Sequence, residues 1–263
     1  MKSFKGSKIL ITGASSGIGA ALACEFATRG ASLYLAARNI ARLEEVKSRC
    51  ESLGAQAQVF SVDMASETSI EAFASDVTQL GLLFDVIVLN AGISQRALTF
   101  DTDIAVDRKV METNFFGPVF LTKMLASQIR GSRPVKLAVT TSISGLFGFP
   151  LRSAYCASKH ALFGFFESLE TENPNVRVTF LIPGRINTPI SKSALHGDGR
   201  SHDAMDQGQA NGMDAAACAK VAVRAIARGR HRKLIGRGEL IMVYIKKLCP
   251  WLFFKIAGRI SAT

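Results

Sequence analysis

The chain has 263 residues, 48% of them hydrophobic and 20% charged; this is enough to bury one large core and excludes a disordered, fibrous or repeat-built protein. Its net charge of +11 is uneven, because Lys220 to Thr263 holds eleven Lys or Arg against the single acid Glu239, which leaves the remainder near +1. Basicity confined to one end is not the footprint of a nucleic-acid binder, so no nucleic-acid partner is expected.

Five scattered cysteines with no CxxC pair read as reduced thiols, and four histidines without partners at ligand spacing predict no metal site. The N-terminus lacks an apolar run long enough for a secretory leader, so the expected location is the cytoplasm.

In chain order, short β-type runs alternate with longer amphipathic ones. Strands are expected at Lys8–Thr12, Ser32–Ala36, Gln56–Ser61, Val86–Leu89, Val135–Thr140 and Arg177–Leu181, with a short one near Leu234 and Ile235. Helices are expected at Ile18–Arg29, Ile40–Leu53, Ser66–Leu80, Asp107–Arg130 and Ala154–Glu172, and another after a cap at Asp214. This rhythm predicts an α/β fold: a single-domain, doubly wound Rossmann sheet, parallel and covered by helices on both faces, with ligands at the carboxyl ends of the strands.

The first strand runs into TGASSGIG, Thr12 to Gly19. Glycines at 13, 17 and 19 permit a tight turn and close approach of a pyrophosphate to the positive end of the next helix. The second strand ends Ala36, Ala37, Arg38, Asn39. No carboxylate stands there to grip a ribose 2'-hydroxyl, while Arg38 can pair with a 2'-phosphate, so NADP(H) is expected and NAD(H) less so.

Further on, Ser142, Tyr155 and Lys159 stand at offsets of 13 and 4. On a helix Tyr155 and Lys159 lie one turn apart on one face. A cation near a phenol favours phenolate and is expected to bring the tyrosine pKa toward the working range of an acid/base.

With TGASSGIG, Asn90-Ala91-Gly92, Asn114, Ser142, the Tyr155-Cys-Ala-Ser-Lys159 run and Pro183-Gly184 in this order, the sequence resembles the short-chain dehydrogenase/reductase family, in particular its steroid and retinol reductase-like branch. The resemblance spans Lys8 to about Gly236. It implies hydride transfer between a nicotinamide and a ketone or secondary alcohol, with Tyr155 as acid/base, Lys159 lowering its pKa and holding the ribose, Ser142 binding the substrate oxygen and Asn114 completing a tetrad. It also implies cofactor contacts from Gly13, Ser15, Ser16, Gly17, Ile18 and Gly19, from Arg38 and Asn39, and from Asp63 and Met64. Asn90, Ala91 and Gly92, then Pro183, Gly184, Ile186 and Thr188, complete that set. Ser16 departs from NADP-using members that carry a basic residue there, which weakens the NADP expectation without reversing it. A homodimer or homotetramer is expected.

The wall between Ser142 and Tyr155 contains Ile143, Leu146, Phe147, Phe149 and Leu151, which predicts a hydrophobic carbonyl or alcohol substrate, with packing into core or a subunit contact as the other reading. The Gly-, Ser- and Asp-rich stretch at about 190–213 is expected to be a mobile lid or, more plainly, a surface loop. The catalytic unit thus spans 1–236. Residues 237–263 form a basic aromatic extension whose apolar runs are too short to cross a bilayer. Its aromatics and cations fit either peripheral contact with a membrane surface or a partner subunit. Two other readings of the whole chain are a β-ketoacyl carrier-protein reductase and a non-catalytic dinucleotide-binding scaffold.

Overall fold

A computed structural model describes residues 4–258; the outer ends of the two expected units, residues 1–3 and 259–263, lie outside the described residues. Seven parallel strands form one sheet: β1 Lys8–Thr12, β2 Ser32–Ala37, β3 Ala57–Ser61, β4 Val86–Leu89, β5 Val135–Thr140, β6 Val176–Pro183 and β7 Arg232–Ile235. Their order is β3-β2-β1-β4-β5-β6-β7. The chain reverses its direction of growth between β1 and β4, and this is where a parallel sheet opens a crevice at its carboxyl edge.

Strands covered on both faces read as continuous apolar runs, and β1 shows why. Ile9 and Ile11 enter one core with Leu22 and Phe26 of α1 (Gly17–Ala27) and with Val223 and Ile226 from the helix at Ala215–Ala227. Leu10, pointing the other way, joins Phe73, Leu121 and Phe166 in the second core. The helices between are α2 (Ile40–Ser52), α3 (Glu67–Gln79), α4 (Ile104–Met111), α5 (Gly117–Met124), α6 (Ala126–Ile129), α7 (Ser153–Glu172), α8 (Gln207–Ala210) and α9 (Ala215–Ala227). Side chains cap three of them: Asn39 accepts from Arg42 N, Ser66 from Ser69 N and Asp214 from Ala217 N.

The single helix expected over Asp107–Arg130 is interrupted. After α4 the backbone widens into a π segment at Glu112–Phe116, and Pro118 lies in the first turn of α5, where its missing N–H costs little. The stretch expected to be a loop at 190–213 has local order. Leu195 bridges to Gln95 and Ser201, Met213 to Ile186, and α8 lies within it.

The C-terminal extension forms α10 (Ile241–Leu248) and α11 (Pro250–Ala257). Met242, Phe253 and Ala257 pack with Phe147, while Ile143, Leu146 and Phe149 lie against the same small core. Among the described residues no helix is long and apolar enough to cross a membrane.

Candidate active site

The turns after β1, β2, β3 and β4 converge on a cavity of about 500 Å³. Gly13, Ser15, Ser16, Gly17 and Ile18 line it from the first turn, Arg38 and Asn39 from the second, Asp63 and Met64 from the third, and Asn90, Ala91 and Gly92 from the fourth. Gly13 and Gly17 have φ of +66° and +54°, a region costly for a side chain. A Cβ at Gly13 would come within 2.7 Å of Ala91 Cα. Asn90 ties the two turns together, its Nδ2 donating to the carbonyls of Thr12 and Gly13 at 3.2 and 3.3 Å.

Gly19 does not line this cavity. It sits beneath the loop, where a Cβ would run into the Gly13 carbonyl and come within 2.7 Å of Asn90 Nδ2. Its role is to let α1 approach the sheet.

A smaller chamber of about 60 Å³ adjoins the first, and both are lined by Ile18, Tyr155, Pro183, Thr188 and Ile190. Ser142, Gly184 and Ile186 line only the smaller one. Ser142 Oγ donates to the Pro183 carbonyl at 3.4 Å and accepts from Ser144 N at 3.2 Å. Asn114 is fully buried in the π segment and lines neither cavity. Its Oδ1 accepts from Ile93 N at 2.8 Å, and its Nδ2 donates to the Ile93 carbonyl and Ser158 Oγ, both at 3.0 Å. It therefore fixes the loop after β4 against α7, one residue from Lys159.

Lys159 Nζ donates to the Thr140 carbonyl at 2.9 Å and lies 5.9 Å from the centre of the Tyr155 ring. Burial pulls its pKa down to about 8. Burial also pushes the Tyr155 phenol above its ordinary value, opposed by a hydrogen bond with Ser142 and by the positive charges of Arg152 and Arg96. This corrects the sequence expectation. In this geometry the cations that favour phenolate are the two arginines, and desolvation of the whole site outweighs them.

Of the two readings of the apolar wall, packing into core is the one its contacts favour. Neither cavity is lined by Ile143, Leu146, Phe147, Phe149 or Leu151; the first four pack against α10 and α11. An apolar run in a sequence does not say which apolar neighbour covers it.

Several site residues escaped the sequence reading. Arg42 lines the larger cavity beside Arg38; the signal was its place in the first turn of the helix that Asn39 caps, four residues after Arg38. Arg96, Arg152 and Gln209 line the smaller chamber. Arg96 pairs with Asp206, 110 residues away, and no local pattern announces such a contact.

The lining has the chemistry a dinucleotide requires. The glycine turn offers a backbone cradle that side chains would fill, the N-terminus of α1 faces it, and guanidinium groups stand at the end of β2. The residues fit such a group.

Comparisons with known proteins agree. The family model described as short chain dehydrogenase matches residues 7–198. "Dehydrogenase/reductase SDR family member 7B" of Mus musculus is 40% identical over 257 residues, covering 94% of this chain and 79% of the mouse protein. "Dehydrogenase/reductase SDR family protein 7-like" of Drosophila melanogaster is 36% identical over 261 residues, covering 97% and 80%. Among solved structures, a short chain dehydrogenase/reductase from Burkholderia phymatum in complex with NAD shares the fold at a TM-score of 0.82, with 23% identity and 96% of both chains covered. An alcohol dehydrogenase from the archaeon Thermococcus sibiricus complexed with 5-hydroxy-NADP does so at 0.76, with 24% identity over 89% of this chain and 97% of that one.

Proposed function

Because the chain belongs to the short-chain dehydrogenase family, we propose that it is an NADP(H)-dependent oxidoreductase acting on a ketone or secondary alcohol with hydrophobic character. The observation that carries this reading is the meeting of the two cavities at Tyr155, with the glycine turn on one side and Ser142 on the other.

Gly13, Ser15, Ser16, Gly17 and Ile18 bind the pyrophosphate, and Asp63 and Met64 flank the adenine. Asn90, Ala91, Gly92, Pro183 and Thr188 frame the nicotinamide end. Bound there, the cofactor supplies or accepts the hydride. Arg38 and Arg42 together support a 2'-phosphate and hence NADP(H), since no carboxylate stands at the end of β2.

Tyr155 gives its phenolic proton to the substrate oxygen in reduction and takes one back in oxidation. Ser142 donates a hydrogen bond to the same oxygen as charge develops on it. Lys159 holds the ribose hydroxyls and steadies the tyrosine, and Asn114 keeps the loop after β4 in register behind them. The apolar part of the substrate meets Ile18, Ile186 and Ile190 in the smaller chamber. Lys192, Ser193, Ser201 and Asp203 reach the larger cavity, which supports reading residues 190–213 as a lid that excludes water.

The same reading makes residues 237–263 an extension that touches a membrane surface. Trp251, Phe254 and Leu248 are 69, 65 and 78% exposed, and Lys246 stands 4.1 Å over the Phe254 ring; aromatics beside cations suit the headgroup layer of an anionic bilayer. A homodimer or homotetramer completes the proposal, with exposed Phe116 and Met124 as apolar surface available for it.

The test is oxidation of NADPH, and separately of NADH, over ketones graded in size and polarity. Turnover with NADPH preferred supports the reading. No turnover with any carbonyl under either cofactor defeats it.

A further inference from the structure

Within the stretch after β6 the chain forms a small hairpin, residues 192–203, that is closed at its base by one carbonyl. Ser201 Oγ and Asp203 N both donate to the Lys192 carbonyl, at 2.8 and 2.9 Å. Higher up, His202 N donates to the Ala194 carbonyl and His196 N to that of Arg200, each at 2.8 Å. Asp203 completes the closure with a φ of 52°, a left-handed conformation that aspartate accepts more readily than most residues. The first arm is also tied to the loop after β4, Leu195 N donating to the Ser94 carbonyl at 2.9 Å and Arg96 N to that of Leu195 at 2.8 Å. Ser94 and Arg96 line the smaller chamber, so the hairpin stands between the two cavities.

The Lys192 side chain has a separate place. It is exposed and lines the larger cavity, and among the described residues its ammonium pairs with no carboxylate. Asp203 lines the same cavity, but its Oδ1 accepts from Ser201 Oγ at 2.8 Å. The turn before Lys192 sets its position. Lys192 N donates to the Pro189 carbonyl at 3.0 Å, and Thr188 and Pro189 lie against the glycine turn: a Cβ at Gly17 would come within 3.1 Å of Thr188 Cβ and 3.8 Å of Pro189 Cδ. Lys192 therefore follows closely on the residues that touch the start of α1, where backbone N–H groups and the helix dipole favour a phosphate.

A mobile ammonium on a four-carbon stem suits a phosphate as a point charge. We propose that the Lys192 ammonium binds the pyrophosphate of the dinucleotide together with the glycine turn, and that its carbonyl thereby holds the 192–203 hairpin in place over the occupied cavity. This rests on the reading of the larger cavity as the dinucleotide site. It adds a charge to a phosphate site otherwise made of backbone, and it links the cofactor to a segment that borders the substrate chamber.

The experiment compares two ligands by calorimetric titration into the full chain: NADPH, and adenosine 2'-monophosphate, which has the adenine and the 2'-phosphate but no pyrophosphate. Lys192→Met leaves the carbonyl, and so the base of the hairpin, in place. It should weaken NADPH by about tenfold, the worth of a hydrogen bond to a charged group, and leave the smaller nucleotide unchanged; Lys192→Arg should keep most of the affinity. Tryptic cleavage after Arg200, whose side chain is 83% exposed, reads the hairpin. NADPH should slow that cut in the wild type and, at saturation, not in Lys192→Met.

Unchanged NADPH affinity in Lys192→Met overturns the proposal and leaves the cofactor reading standing. Equal weakening of both ligands does the same, since it puts the effect outside the pyrophosphate. Protection at Arg200 that persists in the variant overturns the link from phosphate to hairpin. If the wild type takes NADH instead, NADH and adenosine replace the pair. A wild type that binds neither dinucleotide refutes the proposal together with the cofactor reading.

Discussion

Phe147 packs on Phe253 with ring centroids 4.9 Å apart, so the apolar run before Tyr155 grips the C-terminal helices. Phe147 is 3% exposed. Phe147→Ala should therefore cost about 3–5 kcal/mol of stability, as large-to-small changes in cores do. Phe254→Ala, on the exposed side of the same helix, should change it by less than about 0.5 kcal/mol. Denaturant unfolding monitored by circular dichroism measures both, and equal losses would place the two rings in equivalent surroundings.

That exposed side carries the membrane reading. The double variant Trp251→Ala with Phe254→Ala should lose most binding to anionic phosphatidylserine vesicles, and added salt should weaken the wild type. Co-sedimentation reports both. If the wild type does not sediment with vesicles at low salt, the membrane contact is wrong.

At the other end of the site Arg38 and Arg42 line the cavity at the end of β2. Arg38→Asp should move the preference for NADPH over NADH by about tenfold or more toward NADH, and Arg42→Ala by less. Dissociation constants from cofactor fluorescence give the ratio, and an unchanged ratio removes the argument for NADP(H).

Lys159 leaves a signature in stability. Its pKa falls from 10.5 to about 8 on burial, so above pH 8 the unfolded chain binds more protons at this site than the folded one. The contribution of Lys159 to stability should rise with pH from about 8, opposed from about pH 9 by Cys156 and Cys218, whose buried thiols are pushed above their ordinary value of 9.0, and later by Tyr155, also raised by burial. Urea unfolding between pH 7.5 and 9.5 should therefore give wild type a more positive slope of stability against pH than Lys159→Met, which keeps the same thiols. Identical slopes would mean Lys159 is not desolvated.

Much of this architecture is legible without coordinates. β4 and β5 stand at their expected limits, because a strand buried on both faces is a run of Val, Ile and Leu bounded by polar turns. The glycine turn and the spacing of Tyr155 and Lys159 are equally local. What was not legible is long-range or indifferent to sequence pattern. The π segment at Asn114 sits directly before Pro118, which has no N–H to return to the carbonyl four residues back, that of Asn114, and a residue pattern does not say whether such a proline widens a helix or ends it. Arg96 and Asp206 are joined only by the fold. The Ile143–Phe149 stretch shows apolarity in the sequence, but the identity of the surface that covers it, α10 and α11, is decided in three dimensions.

The central claim is that Tyr155 handles the proton at the meeting point of the two cavities. Tyr155→Phe removes one hydroxyl from a side chain that is 8% exposed and leaves the ring packing. Steady-state reduction of the best ketone found, with NADPH affinity measured alongside, is the most direct test. Turnover should fall by about 100-fold or more, the range of general acid–base assistance, with NADPH affinity nearly unchanged. Turnover within a few-fold of the wild type would contradict the account.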